Sequence, residues 1–151
     1  MEDNTDKKGY AFTGHFPVFR GRIVSDVMLC APENADPAMV RVRALWDTGC
    51  SNTLVSARVA DFLRLSRSRS GRFRSPFGGV RDCEMAAVKI GVVLGGECVA
   101  IEAGIAAEPN SDMDCDVTLG LDFISLGDFA ITHDDGQLCM SFCYPGGRWR
   151  W

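Results

Sequence analysis

Ala44-Leu45-Trp46-Asp47-Thr48-Gly49-Cys50 runs from apolar residues into a carboxylate, a small hydroxyl residue and a glycine. The apolar residues up to Trp46 complete a predicted strand that starts at Met39, and Asp47 follows at its end. A carboxylate that activates water must be held at a defined angle, which the end of a rigid strand provides. The Thr48 hydroxyl can satisfy neighbouring backbone groups, and Gly49 allows close backbone approach. The pattern indicates a hydrolytic carboxylate at Asp47, although the same tripeptide is also an acceptable turn.

A second apolar segment lies far downstream of this motif. Residues Val117 to Ile124 predict a strand that is interrupted at Gly120 and leads into a short helix. Together the two segments resemble the retropepsin-like aspartic proteases, whose chains carry one Asp-Thr/Ser-Gly motif followed roughly seventy residues later by apolar residues, a glycine and a helix. The resemblance spans residues about 20 to 143 and points to the non-viral branch of the family. The residues that match the second motif are Leu119, Gly120, Leu121 and Asp122.

The resemblance implies an all-β fold, namely a small closed barrel-like acid protease domain with one or two short helices, assembled as a two-fold homodimer. The many short predicted strands and glycine turns also indicate an all-β barrel. A short amphipathic helix is predicted around Val59 to Leu65. Besides Met39–Trp46, the predicted strands are Arg22–Cys30, Thr53–Ser56, Met85–Val93, Glu97–Ala107, Phe129–His133 and Gln137–Phe142. The last two flank an Asp-Gly hairpin turn.

The activity implied by the resemblance is peptide-bond hydrolysis by an aspartic endopeptidase. Two carboxyl groups share one proton in such a site, because two like charges a few ångströms apart cannot both ionise cheaply. Since the motif occurs once, the resemblance implies that Asp47 of each protomer meets at the two-fold axis, with Thr48 and Gly49 supporting the loop. Asp135-Gly136 is the other candidate half-site, but it lacks the intervening hydroxyl residue.

The family also has a glycine-containing hairpin, the flap, that closes over an extended peptide. Ser75 to Val80 lies between the two motifs and carries the residues predicted to contact substrate, Phe77, Gly78 and Gly79. The resemblance implies no cofactor and no metal. The expected partners are a second copy of the chain and a peptide or protein substrate, and we do not expect nucleic-acid binding or membrane association.

The length of 151 residues suits one domain with its own core. We expect a flexible tail over residues 1–9, a single domain over 10–143 and a second tail over 144–151. The sequence has neither an apolar stretch of about 18 to 20 residues nor a signal-peptide pattern, so we expect a cytoplasmic protein. Seven cysteines without paired spacing indicate free thiols in a reducing compartment.

Positive charge is concentrated in one part of the chain. Residues 58–81 contain seven arginines and a single acid, Asp61, which gives this segment a charge of +6 in a chain of net charge −4. The stretch Ser66–Arg74 is rich in serine and arginine, which predicts a solvated loop. The alternative is a contact with nucleic acid or an acidic peptide, since arginine has a planar fork and weak hydration.

Several other readings remain open. The chain could be an inactive retropepsin-like dimer that acts as a protein interaction module. It could be a cysteine hydrolase that uses Cys50 and His133, or a nucleic-acid-binding barrel that uses the arginine segment. Cys139 and Cys143 could be half of a zinc site. The acidic stretch 112–116 lacks the glycine and glutamate of an EF-hand, so it predicts an acidic loop before a buried strand.

Overall fold

A computed structural model describes residues 10–16, 21–33, 37–74, 79–92, 96–106 and 114–147. This part of the chain folds into ten strands and two short helices. The strands are β1 (Tyr10–Phe16), β2 (Ile23–Cys30), β3 (Met39–Trp46), β4 (Leu54–Ser56), β5 (Arg67–Arg74), β6 (Val80–Gly91), β7 (Val99–Ala106), β8 (Val117–Leu119), β9 (Asp128–Asp134) and β10 (Gln137–Tyr144). The helices are α1 (Ala57–Phe62) and α2 (Leu121–Ile124). The predicted all-β fold with one or two short helices is confirmed.

A closed six-stranded barrel forms the body of the domain. The strand order β2-β3-β8-β4-β7-β6 becomes a ring because β2 also pairs with β6, with Met28 opposite Gly91 and Cys30 opposite Lys89. Strands β3 and β8 are parallel, and Trp46 lies opposite Leu119. The register therefore places the ends of the two predicted motif strands, at Trp46 and Leu119, side by side in the barrel.

A separate three-stranded sheet, in the order β1-β10-β9, packs beside the barrel. Strands β9 and β10 form the predicted hairpin, and its turn places Asp135 at φ 46° and Gly136 at φ 75°, as a tight turn with two left-handed residues requires. The sequence pattern does not predict β1, which pairs with β10 along its whole length. Beyond β10, the Gly146 N–H donates to the Leu126 carbonyl at 3.1 Å.

Trp46 joins the two sheets. Its ring stacks on Phe129 at a centroid distance of 5.6 Å and lies 5.1 Å from Phe142. The side chain is 5% exposed, and its indole N–H donates to Ser25 Oγ at 2.9 Å, so the buried polar group is satisfied. Because Trp46 immediately precedes Asp47, this packing fixes the end of β3 that carries the candidate catalytic residue.

The prediction that Ser66–Arg74 is a solvated loop is wrong. These residues form β5, the outermost strand of the larger sheet, which pairs with β6 from Arg67 opposite Ala86 to Arg74 opposite Val80. A strand at the edge of a sheet needs backbone partners on one side and can leave its side chains in water. Charged side chains are common on such strands. Charge therefore predicted the exposure of Ser70 and Arg72 but not the backbone conformation of the segment.

Helix α1 is shorter than its apolar pattern indicates. It ends at Phe62, which is 66% exposed, whereas Val59, Leu63 and Leu65 are buried. Arg64 has φ 53° and turns the chain away from the helix axis. Neither helix in the described ranges approaches the length and apolarity needed to cross a membrane.

Candidate active site

Asp47 lies directly after β3, and both its backbone and its side chain are held in place. Its N–H donates to the Leu119 carbonyl at 3.0 Å, which ties it to the second motif. The Gly49 N–H donates to Asp47 Oδ1 at 2.9 Å, so the loop's own backbone orients the carboxylate. The residue is half-buried, while Thr48 and Gly49 are exposed. Within the described chain, Oδ2 accepts no hydrogen bond and is available for chemistry.

The second motif braces the loop that carries Asp47. Leu121 N–H donates to the Cys50 carbonyl at 2.8 Å, and Asp122 N–H donates to the Ser51 carbonyl at 3.2 Å. A Cβ at Gly120 would lie 2.5 Å from the carbonyl carbon of Asn52 and 2.6 Å from its oxygen. Only glycine fits at that distance from backbone atoms. Residues 47–53 and 119–122, called the loop cluster below, therefore form one hydrogen-bonded unit.

Asp122 and Thr53 form the centre of the loop cluster. Thr53 donates to both carboxylate oxygens of Asp122, through its N–H at 2.9 Å and its hydroxyl at 2.7 Å. The Thr53 hydroxyl accepts from Gly120 N–H at 3.1 Å, and Asp122 Oδ1 also accepts from Phe123 N–H at 2.8 Å. Asp122 is thus a structural carboxylate. Sequence reasoning placed Asp122 in the motif but missed Thr53, whose one signal is a hydroxyl residue directly before the short apolar strand β4.

A general acid–base pair of carboxylates is not complete within the described part of one chain. Asp122 is occupied by Thr53, and Asp135 lies in the exposed β9–β10 turn. Asp116 is occupied by Arg58, as described below. The described residues also contain no group of three or more His, Cys, Asp or Glu side chains that could hold a metal ion. Asp47 therefore stands as one half of a site.

Asp116 links the second motif strand to helix α1. Its carboxylate accepts two hydrogen bonds from the Arg58 guanidinium, at 2.6 and 2.7 Å, and one from the Ser56 hydroxyl at 2.6 Å. The hydrogen bonds from Arg58 lower the pKa of Asp116, and the bond from Ser56 adds to this effect. Backbone bonds from Ser56 N–H to Asp116 O and from Asp116 N–H to Arg43 O hold the same junction. This ion pair was not predicted.

The chemistry of Cys50 opposes the cysteine-hydrolase reading. Burial raises the pKa of the Cys50 thiol, and the charges of Asp47 and Asp122 raise it further. The thiol donates to the Asn52 carbonyl at 3.0 Å. A raised pKa disfavours the thiolate that a nucleophile requires. His133, the predicted base, lies on the exposed part of β9 opposite Leu138.

Cys139 and Cys143, the proposed half of a zinc site, are buried residues of β10. In the register with β1, Cys139 lies opposite His15 and Cys143 opposite Ala11. The Cys139 sulfur is 3.3 Å from His15 Nδ1. All seven cysteines are free thiols.

The predicted flap residues are described only in part. Phe77 and Gly78 lie outside the described residues, while Gly79 is exposed and a Cβ there would have no atom within 4 Å. Strands β5 and β6 flank this segment as an antiparallel pair that ends at Arg74 opposite Val80. The segment thus connects two strands of a long hairpin that lies between the two motifs in sequence.

A retropepsin-like aspartic protease from Rickettsia conorii has a similar structure, with a TM-score of 0.56 and 14% sequence identity over 90% of this chain and 94% of that one. The chain has the retropepsin-like fold. Two further solved structures match less well: the protease of EIAV in complex with the inhibitor HBY-793 and the retroviral protease-like domain of Ddi1 from Leishmania major. The first has a TM-score of 0.47 and 18% identity over 70% of this chain and 88% of its own. The second has a TM-score of 0.42 and 15% identity over 75% and 90%. Neither a protein-family model nor a curated protein matches the sequence.

Proposed function

We propose that the protein is an aspartic endopeptidase that works as a two-fold homodimer, with Asp47 of each protomer forming the catalytic pair. The observation that carries the proposal is the state of the Asp47 carboxylate. One oxygen is fixed by Gly49 N–H, and the other has no hydrogen-bond partner among the described residues. Its loop is exposed at Thr48 and Gly49, where a second copy can approach.

The fold supports this reading because it provides a rigid support and leaves the dyad incomplete. A catalytic carboxylate must be held within about half an ångström of its working position, and the loop cluster does this with direct backbone hydrogen bonds. The other carboxylate of the loop cluster, Asp122, is saturated by Thr53 and Phe123. The second carboxylate therefore has to come from another chain, and a symmetric dimer would supply an identical one.

In the proposed mechanism the two Asp47 carboxyl groups share one proton. The ionised group removes a proton from water, which attacks the amide carbonyl, while the protonated group polarises that carbonyl. The carboxyl that took the proton from water then passes it to the amide nitrogen, and the C–N bond breaks to release the amine and the new carboxyl end. We propose that Thr48 and Gly49 support the two loops at the dimer axis. The β5–β6 hairpin, with Phe77, Gly78 and Gly79 at its turn, would act as the flap over an extended substrate.

The test compares two aspartate-to-asparagine variants on a proteome-derived peptide library between about pH 3 and pH 8. Asp47→Asn should lower kcat/KM by about 10³-fold or more, since it removes both dyad carboxylates of the dimer. Asp135→Asn is the matched control because Asp135 is exposed in the other Asp-Gly sequence and asparagine tolerates its φ of 46°. The control should cleave like the wild type.

A mixing experiment tests the shared site directly. Excess Asp47→Asn protein should inhibit the wild type, because each mixed dimer would contain a single Asp47 carboxylate. Sedimentation at micromolar concentration should show dimers for both proteins. Wild-type activity that is unaffected by excess variant, or a strict monomer that cleaves peptides, would contradict the dyad. A dimer that cleaves nothing at any pH would instead support the interaction module.

A further inference from the structure

The β5–β6 hairpin carries a large excess of positive charge. From Arg67 to Gly91 it carries six cationic residues and two acidic ones, in a chain whose net charge is −4. The hairpin thus has a charge of +4 and the rest of the chain a charge of −8. Such separation creates a local field that attracts oppositely charged groups and repels like ones. The cationic residues are Arg67, Arg69, Arg72, Arg74, Arg81 and Lys89.

Two arginines of the hairpin with described side chains, Arg67 and Arg72, differ in how firmly they are paired. Arg67 is held by Glu84 at 2.7 Å and also by Asp61 at the end of α1. Arg72 and Asp82 approach to only 3.6 Å, and their side chains are 82% and 80% exposed. A pair this exposed is worth about 0–1 kcal/mol, so Arg72 can exchange Asp82 for another carboxylate at little cost. The two acids of the hairpin cannot neutralise six cations in any arrangement.

We infer that this hairpin selects substrate peptides that carry Asp or Glu side chains. The inference rests on the proposed function, in which the hairpin closes over the substrate. Arginine suits this role because its planar fork binds a carboxylate through two parallel hydrogen bonds. Complementary charge on the covering element raises the rate of encounter and discriminates against neutral and basic peptides.

The charge of the remaining chain favours a short acidic peptide over a nucleic acid. A nucleic-acid strand carries one phosphate charge per nucleotide and extends beyond a single hairpin. Phosphates beyond the hairpin would meet a protein whose other residues carry a net charge of −8. A peptide with a few carboxylates near the cleaved bond can engage the hairpin without meeting that repulsion.

The main test measures cleavage preference. Wild-type protein is incubated with a proteome-derived peptide library, and cut sites are read by mass spectrometry. Asp and Glu should be enriched several-fold around the cut bond. The variant Arg69→Gln/Arg72→Gln/Arg74→Gln should lower kcat/KM about 3–10-fold more on an acidic peptide than on its glutamine analogue. Raising the salt from about 0.05 M to about 0.5 M should reduce the preference in the wild type.

Arg41→Gln is the matched control, and Arg72→Gln is the single variant to use if the triple variant folds poorly. Arg41 is an exposed arginine on β3 that pairs with Asp26 of β2, outside the hairpin. Arg41→Gln removes one positive charge, as Arg72→Gln does, but from β3 instead of the hairpin. It should leave the preference for acidic peptides intact. An equal loss of preference in Arg41→Gln and in the hairpin variants would overturn the inference, since net charge alone would then explain it.

A binding measurement separates this inference from the proposed function. Asp47→Asn protein is titrated into a fluorescent glutamate-containing peptide and into its glutamine analogue. Tighter binding of the acidic peptide that is lost in the hairpin variants supports the inference, even if no peptide is cleaved and the protease proposal fails. Equal cleavage and binding of the two peptides overturns the inference and leaves the protease proposal standing. The inference is also overturned if a single-stranded oligonucleotide displaces the fluorescent acidic peptide at a lower concentration than the unlabelled acidic peptide does.

Discussion

The loop cluster and the β5–β6 hairpin satisfy their polar groups in opposite ways. In the loop cluster, the buried Thr53 and the carboxylate of Asp122 are joined by direct hydrogen bonds of 2.7 to 2.9 Å. In the hairpin, Arg72 and Asp82 form a single contact of 3.6 Å in water. Buried hydrogen bonds resist change because an orphaned partner cannot find water, whereas exposed ion pairs are replaced by water readily.

In the proposed protease, this difference would separate the catalytic chemistry at Asp47 from the selectivity of the hairpin. The position of Asp47 depends on groups that cannot be altered without loss of stability. Arg72 of the hairpin is 82% exposed and contributes little to the fold. Substitutions in the loop cluster should therefore lower stability and activity together. Substitution of Arg72 should change peptide preference with little loss of stability.

Gly120→Ala should have the largest effect on stability. The new Cβ would lie 2.5 Å from a backbone atom of Asn52, so the loop cluster would have to separate. We expect a loss of about 3 kcal/mol or more in the free energy of unfolding, measured by urea denaturation. Gly79→Ala in the hairpin is the matched change, because a Cβ there has no atom within 4 Å. It should alter stability by less than about 0.5 kcal/mol, and equal losses in the two variants would remove the contrast between the regions.

Thr53→Val tests the central hydrogen bonds of the loop cluster. The substitution keeps the shape but removes the hydroxyl, which leaves Gly120 N–H without its acceptor and Asp122 Oδ1 without one donor. Such a loss in a buried site costs about 2–3 kcal/mol. Thr13→Val is the control, since the exposed Thr13–Ser141 hydroxyl pair should contribute less than about 0.5 kcal/mol. Denaturation of both variants checks this, and a neutral Thr53→Val would mean that Asp122 is held by its backbone donors alone.

The sequence locates the two segments of the loop cluster better than it predicts the elements around them. Asp47 and Gly120 are recognisable because each stands at the end of an apolar strand and the two are spaced as in one family. Thr53 has no such local pattern around it, because its role is to donate hydrogen bonds to Asp122, which lies 69 residues away in the sequence. The local sequence does not predict strand β1 for the same reason, because its partners lie in β10, more than a hundred residues along the chain.

The misassigned β5 shows a different limit. Composition indicated that residues 66–74 are solvated, and the described side chains of Ser70 and Arg72 are indeed exposed. Backbone pairing with β6 is a separate property that charge does not exclude. Local composition therefore describes the environment of a side chain, while strand pairing depends on a partner that the local sequence does not show.

Acid should remove the stabilisation that the ion pair between Asp116 and Arg58 provides. The pKa of Asp116 is lowered chiefly by its hydrogen bonds with Arg58, so the pair stabilises the protein above the ordinary Asp range and loses this effect as the pH falls below about 4. Asp116→Asn should destabilise the protein at neutral pH, by less than Thr53→Val because Arg58 is 58% exposed and water screens the pair. The difference from the wild type should shrink on acidification.

Denaturation curves between about pH 3 and pH 7 measure that convergence. Asp26→Asn is the control because Asp26 also pairs with an arginine, Arg41, but at an exposed position. It should give a smaller difference from the wild type at every pH. A constant gap between Asp116→Asn and the wild type across the range would show that the Asp116 charge does not stabilise the fold.

Arg72→Gln should have the smallest effect on stability and still change recognition. Its one described ion-pair partner, Asp82, is 80% exposed, so the free energy of unfolding should change by less than about 0.5 kcal/mol. Cleavage of acidic peptides should nevertheless fall relative to their glutamine analogues. The variant loses the positive charge of Arg72, which Asp82 holds only weakly and which a substrate carboxylate could bind. Denaturation and paired-peptide kinetics on the same sample measure both quantities. A stability loss that matches the loss of acidic preference would mean that Arg72 supports the hairpin itself, and the proposed division between fixed chemistry and adjustable selectivity would then fail at this residue.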